Sequence, residues 1–166
     1  MTPARTLLIV SYSRTGGSRQ LADAAEAGAL AAGEVTVRHL AAEQAGADDL
    51  LAADGYLFAC PENLAALAGE MKAFFDRTYY DALGRIEGRP YAAIICAGSD
   101  GESARRQLER IATGWRLRRV AETLIVNLRA DTPEAILAPK TVPEADLAMA
   151  RDLGAMLAAG LAMGVF

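Results

Sequence analysis

Short apolar runs alternate along the chain with longer stretches in which apolar residues recur every three or four positions. The runs Thr6–Tyr12, Val35–Leu40, Gly55–Cys60, Tyr91–Ala97 and Val120–Val126 read as strands. Ser18–Ala31, a short Asp48–Ala53, Gly69–Leu83, Glu102–Thr113 and Val142–Ala162 read as helices. Strict alternation of the two kinds predicts an α/β protein, a parallel sheet covered by helices on both faces. Leu7–Val10 and Tyr91–Cys96 are almost wholly apolar, as strands buried on both faces must be. Val35–Leu40 alternates apolar with polar, the pattern of an edge strand with one wetter face. Glu122 and Thr123 put the fifth strand at the other edge. These patterns predict a five-stranded sheet in the order 2-1-3-4-5. Thr141 and Glu144 stand at capping-box spacing and set the start of the last helix. Ligands of such sheets bind beyond the carboxyl ends of the strands, where the strand order reverses. Three loops leave that end near the centre: Ser13–Ser18, Pro61–Ala66 and Gly98–Gly101.

The first of these loops carries the clearest chemistry. Leu7–Val10 leads into Ser13-Arg14-Thr15-Gly16-Gly17-Ser18, which opens directly into a helix. The first amides of a helix have no internal partner, and the helix dipole favours an anion beside them. Ser13, Thr15 and Ser18 add three hydroxyls, more than a single N-cap needs, while Gly16 and Gly17 allow close backbone approach. The chain has neither G-x-x-x-x-G-K-[ST] nor G-x-G-x-x-G, so a triphosphate loop and a pyrophosphate turn are both set aside. A hydroxyl-lined loop without lysine suits one terminal monophosphate.

Composition narrows the field. The 166 residues form one domain, 1–166, and a hydrophobic share of 52% excludes disorder. A net charge of −4 argues against nucleic acid as a partner. The apolar tail Leu153–Phe166 is too short to span a bilayer and is interrupted by glycines, so it reads as a buried C-terminal helix rather than a membrane segment. No secretory signal is evident, and two cysteines fit a reducing cytoplasm. Cys60 and Cys96 end neighbouring strands and read as small buried hydrophobes rather than a redox pair. The lone His39, without C-x-x-C or H-E-x-x-H spacing, predicts no metal site. The basic stretch of Arg105, Arg106, Arg110, Arg116, Arg118 and Arg119 reads as a solvated face, with Glu102–Arg106 and Arg105–Glu109 as i,i+4 pairs. Thr132-Pro133-Glu134 reads as a cap and first-turn proline of a short helical turn.

Four segments resemble a known family. Ser13–Ser18 matches the phosphate-loop pattern [TS]-x-T-G-x-[TS] of flavodoxins. Asp54-Gly55-Tyr56-Leu57-Phe58-Ala59-Cys60-Pro61-Glu62-Asn63 resembles the third strand and flavin loop of flavodoxin-fold oxidoreductases. Gly69-Glu70-Met71-Lys72-Ala73-Phe74-Phe75-Asp76-Arg77 is similar to their G-x-[ML]-K-x-F-[LF]-D-R helix, and Ala97-Gly98-Ser99-Asp100-Gly101 stands where their third flavin loop lies. The resemblance, in order over roughly residues 6–126, is to flavodoxin-like, FMN-dependent NAD(P)H oxidoreductases. It implies a flavodoxin-like three-layer sandwich and hydride transfer from NAD(P)H to a quinone, flavin or similar small acceptor. It also implies that Ser13, Arg14, Thr15, Gly16, Gly17 and Ser18 hold the FMN phosphate. Pro61, Glu62, Asn63 and Leu64 would border the isoalloxazine, largely through backbone, and Gly98, Ser99, Asp100 and Gly101 would meet its pyrimidine edge. No residue in the three loops demands a general acid or base role, so no catalytic side chain is assigned.

The sequence departs from the electron-carrier flavodoxins, which sandwich the ring between aromatics. Residues 62–66 read Glu-Asn-Leu-Ala-Ala and 98–101 read Gly-Ser-Asp-Gly. Trp115, Tyr79 and Tyr80 are the aromatics left to cover the ring, from this chain or from a second subunit of a homo-oligomer. The departure favours an enzyme over a one-electron carrier. A phosphorylated receiver of the same strand order is set aside, because Ser11, Tyr12 and Ser13 stand where it needs acidic residues.

Overall fold

The computed structural model describes residues 3–166. The strands are β1 (Arg5–Ser11), β2 (Val35–Ala41), β3 (Gly55–Asn63), β4 (Ala66–Leu67), β5 (Pro90–Ala97), β6 (Arg118–Arg119) and β7 (Leu124–Asn127). The helices are α1 (Gly17–Ala32), α2 (Ala47–Ala52), α3 (Gly69–Ala82), α4 (Glu102–Gly114), α5 (Pro133–Leu137) and α6 (Glu144–Met163). The parallel sheet runs β2-β1-β3-β5, with β6 and β7 both beside β5 as two pieces of one outer strand. The five expected strand positions are therefore in the expected order, in a flavodoxin-like fold.

Three local expectations are corrected. The strand expected at Val120–Val126 is broken: after the Val120 amide donates to the Tyr91 carbonyl, Ala121–Thr123 leaves the ladder between β6 and β7, where Thr123 and Glu122 turn to polar partners. The third strand does not stop at Cys60 but continues to Asn63 and folds back as an antiparallel hairpin on β4. The last helix begins at Glu144, not Val142, and no side chain caps it. The capping box of Thr141 and Glu144 does not form: Pro143 stands at the helix entrance, and the Glu144 carboxylate accepts from Arg151 instead.

The sheet separates two cores. Leu8, Val10, Tyr56, Phe58, Tyr91 and Ile95 face α3 and α4, where Phe74, Phe75 and Trp115 complete an aromatic cluster. Leu7, Ile9, Leu57 and Ile94 face α1 and α6. Those two helices cross at a reciprocal pair of glycines. A Cβ on Gly28 would lie 2.0 Å from the Arg151 carbonyl oxygen, and one on Gly154 would lie 1.9 Å from that of Ala25. Backbone touches backbone there, and only glycine at both places permits it. The C-terminal apolar segment is the expected packed helix, with Leu157, Ala158 and Leu161 buried. No helix among the described residues is long and apolar enough to cross a membrane.

Candidate functional site

The three expected loops meet beyond the carboxyl ends of β1, β3 and β5. In the first, the Gly16 amide donates to Ser13 Oγ at 3.2 Å, and Gly16 caps α1 in the left-handed region at φ 99°. Gly17, Ser18 and Arg19 follow, and their amides have no carbonyl one turn earlier to bond. Ser18 is buried at 2% exposure, and its hydroxyl has no hydrogen-bond partner; the Cys96 thiol beside it falls short of that geometry. An orphaned buried hydroxyl beside free amides at a helix start is a cradle for an anion. Ser13 and Thr15 are half-buried beside it, and Arg14 is exposed.

A residue outside the motif holds this loop in place. Gln20 Nε2 donates to the carbonyls of Gly16 (2.9 Å) and Lys140 (2.8 Å), and Gln20 Oε1 accepts from the Val142 amide at 3.1 Å. The Lys140 amide donates to the Thr15 carbonyl at 2.8 Å. The chain between β7 and α6 thus forms a fourth wall of the site. α5 lies in this stretch, capped as expected by Thr132, whose Oγ1 accepts from the Ala135 amide. The sequence signals this wall only through that short turn, because its pairing to Thr15 and Gln20 spans about 120 residues.

The second loop is the hairpin of β3 and β4. Its two tip residues, Leu64 and Ala65, lie at φ 49° and 61°. Left-handed backbone in residues with a Cβ costs on the order of 1 kcal/mol each, so the tip is strained. Leu64 is fully in solvent and Asn63 is exposed, whereas Pro61 is half-buried. The Glu62 side chain is engaged elsewhere: its carboxylate accepts from the amides of Gly101 (2.9 Å) and Ala104 (3.1 Å) at the start of α4. It thereby ties the hairpin to the third loop and takes up the anion-binding potential of that helix.

In the third loop, Gly101 caps α4 at φ 93°, and a Cβ there would meet Ile125 at 2.7 Å. The Gly98 carbonyl accepts from the Ala130 amide, in the segment after β7, at 2.8 Å. The Ser99 carbonyl accepts from the Asn127 side chain. Ser99 and Asp100 remain exposed. Two open surface depressions lie elsewhere, one between α3 and α4 lined by Lys72, Arg106, Gln107, Arg110 and Ile111, the other at the opposite end of the sheet near Arg5 and Phe166. The loop cradle is the place where unsatisfied polar groups converge.

The remaining candidates settle as follows. Cys60 and Cys96 are free and buried on opposite faces of the sheet, because Cys96 is level with Pro61 and not with Cys60. Burial pushes their thiols up to about 12 and about 11, so both are neutral packing groups. Trp115 sits in the α3–α4 core and Tyr79 and Tyr80 at the far end of α3, so none covers the loops within this chain. Arg105–Glu109 pair as expected, but Glu102 pairs with Arg105 rather than Arg106, and on α3 Lys72 pairs with Asp76. His39 has neighbours that its sequence position does not announce. Asp23 and Glu26, three residues apart on α1, bring one carboxylate oxygen each to within 4.8 Å of a His39 ring nitrogen on β2, a cluster invisible as a sequence spacing.

Residues 41–131, more than half of the chain, match the family described as NADPH-dependent FMN reductase. The chain belongs to that family. FMN, the flavin in that family's description, ends in a single phosphate. A flavodoxin of Aquifex aeolicus (strain VF5) is 32% identical over 97 residues, which are 57% of this chain and 51% of that protein. The chain thus matches about half the length of this curated relative. A flavodoxin from the domain Archaea superposes with a TM-score of 0.78 over 94% of this chain and 98% of its own, at 18% identity. A flavodiiron core from Synechocystis sp. PCC6803 superposes with a TM-score of 0.77 over 98% of this chain and 37% of its own, at 18% identity. These two likenesses are of fold.

Proposed function

We propose that this family member is an oxidoreductase that holds FMN in the three-loop cradle and passes reducing equivalents from NAD(P)H to a small acceptor such as a quinone or a flavin. The observation that carries the reading is the character of the two loops beside the ring position. They present Asn63, Leu64 and Ala65 on one side and Gly98–Gly101 on the other, small, polar or aliphatic groups that leave one face accessible to a planar partner. FMN supplies the redox chemistry when bound.

The chain's own residues bind and orient. Ser13, Thr15 and Ser18, with the amides from Gly16 to Arg19, take the phosphate, while Arg14 reaches it only from solvent. The strained hairpin tip borders the ring with Pro61, Asn63 and Leu64, and Glu62 fixes the hairpin against the Gly98–Gly101 loop. With the Gly101 amide held by Glu62, the amides of Ser99 and Asp100 are the donors of that loop that meet the pyrimidine edge, where donors stabilise developing negative charge. The family's description supports NADPH as the donor. The two free thiols suit a reducing compartment such as the cytoplasm.

A second reading, a one-electron carrier with no substrate of its own, draws on the flavodoxin name of the Aquifex relative. Steady-state kinetics of the FMN-loaded protein with NADH or NADPH and a quinone separates the two. Donor and acceptor that share one open face must take turns, so parallel double-reciprocal lines are expected, with competitive inhibition by a planar aromatic. Failure to oxidise either nicotinamide overturns the enzyme reading in favour of the carrier.

A further inference from the structure

His39 lies on β2 with its side chain 8% exposed, and both ring nitrogens are engaged. Nε2 lies 2.7 Å from Ser11 Oγ, while Nδ1 faces Glu26 Oε2 at 2.8 Å and Asp23 Oδ1 at 3.7 Å. Ser11 is buried at 5% exposure, so this line of contacts is not a nucleophile and base open to a substrate. Two carboxylates converge on one edge of a single imidazole. An Nδ1–H satisfies only one of them, and Arg19, the cation in reach, binds Asp23 from the solvent side at 2.8 Å.

We propose that Asp23, Glu26 and His39 form a binding site for a divalent transition metal of the zinc class. In a tetrahedral site with bonds of about 2.0–2.1 Å, neighbouring donor atoms stand about 3.3 Å apart. The observed 2.8 and 3.7 Å straddle that spacing, so an ion is seated by small side-chain shifts. An imidazole with two carboxylates suits zinc, cobalt, nickel or copper, whereas calcium and magnesium prefer all-oxygen shells. Ser11 occupies the outer-shell position. Without an ion the ring donates Nδ1–H to Glu26 and accepts from Ser11. With an ion on Nδ1 the tautomer inverts, and Nε2–H donates to the Ser11 hydroxyl, the second hydrogen bond that metal-bound histidines make. Asp23 is half exposed, which leaves the remaining coordination position to water. Its ion pair with Arg19 is on the surface and yields at little cost. The ion would join the middle of α1 to β2, an edge strand paired only with β1, and α1 is the helix that begins at the Gly16–Ser18 cradle.

The test is calorimetric titration of the purified full chain, dialysed against chelator, with Zn²⁺, and spectroscopic titration with Co²⁺. One equivalent is expected to bind, with the visible d–d bands of tetrahedral cobalt and no thiolate charge transfer. Asp23→Asn and Glu26→Gln each remove a ligand while keeping shape, and each is expected to weaken binding at least tenfold. Ser11→Ala is expected to keep the stoichiometry and lose about 10–100-fold in affinity. Thermal melting of the metal-free variants confirms that they are folded. Absence of stoichiometric uptake by the parent overturns the proposal. So does parent-like affinity in both carboxylate variants, or a thiolate signature that moves the ion to the cysteines.

Discussion

Ser18 is the residue whose two roles pull in opposite directions. Its hydroxyl is buried without a partner in the free chain, a situation that costs about 1–3 kcal/mol. Ser18→Ala is therefore expected to raise the stability of the FMN-free protein while weakening FMN binding roughly tenfold, the loss of one hydrogen bond to a charged group. Thr15→Val should weaken FMN binding by a similar factor without the gain in stability. Denaturant unfolding of the free chain and fluorescence titration with FMN give the two signs separately. A destabilised Ser18→Ala that binds FMN like its parent would make that serine a packing residue. Glu109 offers a test in pH. Burial opposes its ionisation, but hydrogen bonds from Thr123, Arg105 and Arg119 outweigh this and hold its carboxyl below the ordinary glutamate range. A folded value below the unfolded one contributes stability above the ordinary glutamate range, lost as pH falls through the lowered value. Glu109→Gln should cost about 1 kcal/mol at pH 7. In urea unfolding at several pH values, variant and parent should differ at neutral pH and draw together as the pH falls through and below the ordinary glutamate range. A difference that persists into acid would place the effect in shape rather than charge.

Among the elements, the crossing of α1 and α6 makes the sharpest demand. Helix propensity alone predicts that Gly28→Ala stabilises by roughly 1 kcal/mol. The 2.0 Å approach of the new Cβ to the Arg151 carbonyl predicts the opposite, a loss of about 1–3 kcal/mol, because backbone cannot swing aside as a side chain can. The sign of the change in unfolding midpoint decides between them. Such a contact shows what a sequence displays and what it hides. The strands β1, β2, β3 and β5 were legible because their apolar patterns report burial directly, and the alternation in Val35–Leu40 marked an edge strand that the structure places at the edge. The capping box at Thr141 was misread because a proline between it and Glu144 moves the helix entrance. The broken outer strand, the hairpin of β3 and β4, and the glycine crossing depend on partners far along the chain, so no local pattern announces them.

At the scale of the whole molecule, the sheet gathers at one end what the sequence distributes over more than a hundred residues. The phosphate loop was legible because its hydroxyls and glycines are contiguous between a strand and a helix. Gln20, the Asn127–Val142 wall, and the Glu62 link between hairpin and third loop were not, since each acts through a partner 28 to 122 residues away. The same distance hides the meeting of Asp23 and Glu26 with His39. These connections predict that the cradle is already shaped before ligand arrives and that it reads one terminal phosphate. The most direct test is titration of the FMN-free protein with riboflavin, FMN and FAD side by side. The account predicts that FMN binds at least tenfold more tightly than riboflavin, which lacks the phosphate, and more tightly than FAD, whose pyrophosphate has no turn to receive it. Equal affinity for riboflavin and FMN would contradict it, because the Gly16–Ser18 cradle would then play no part in holding the cofactor.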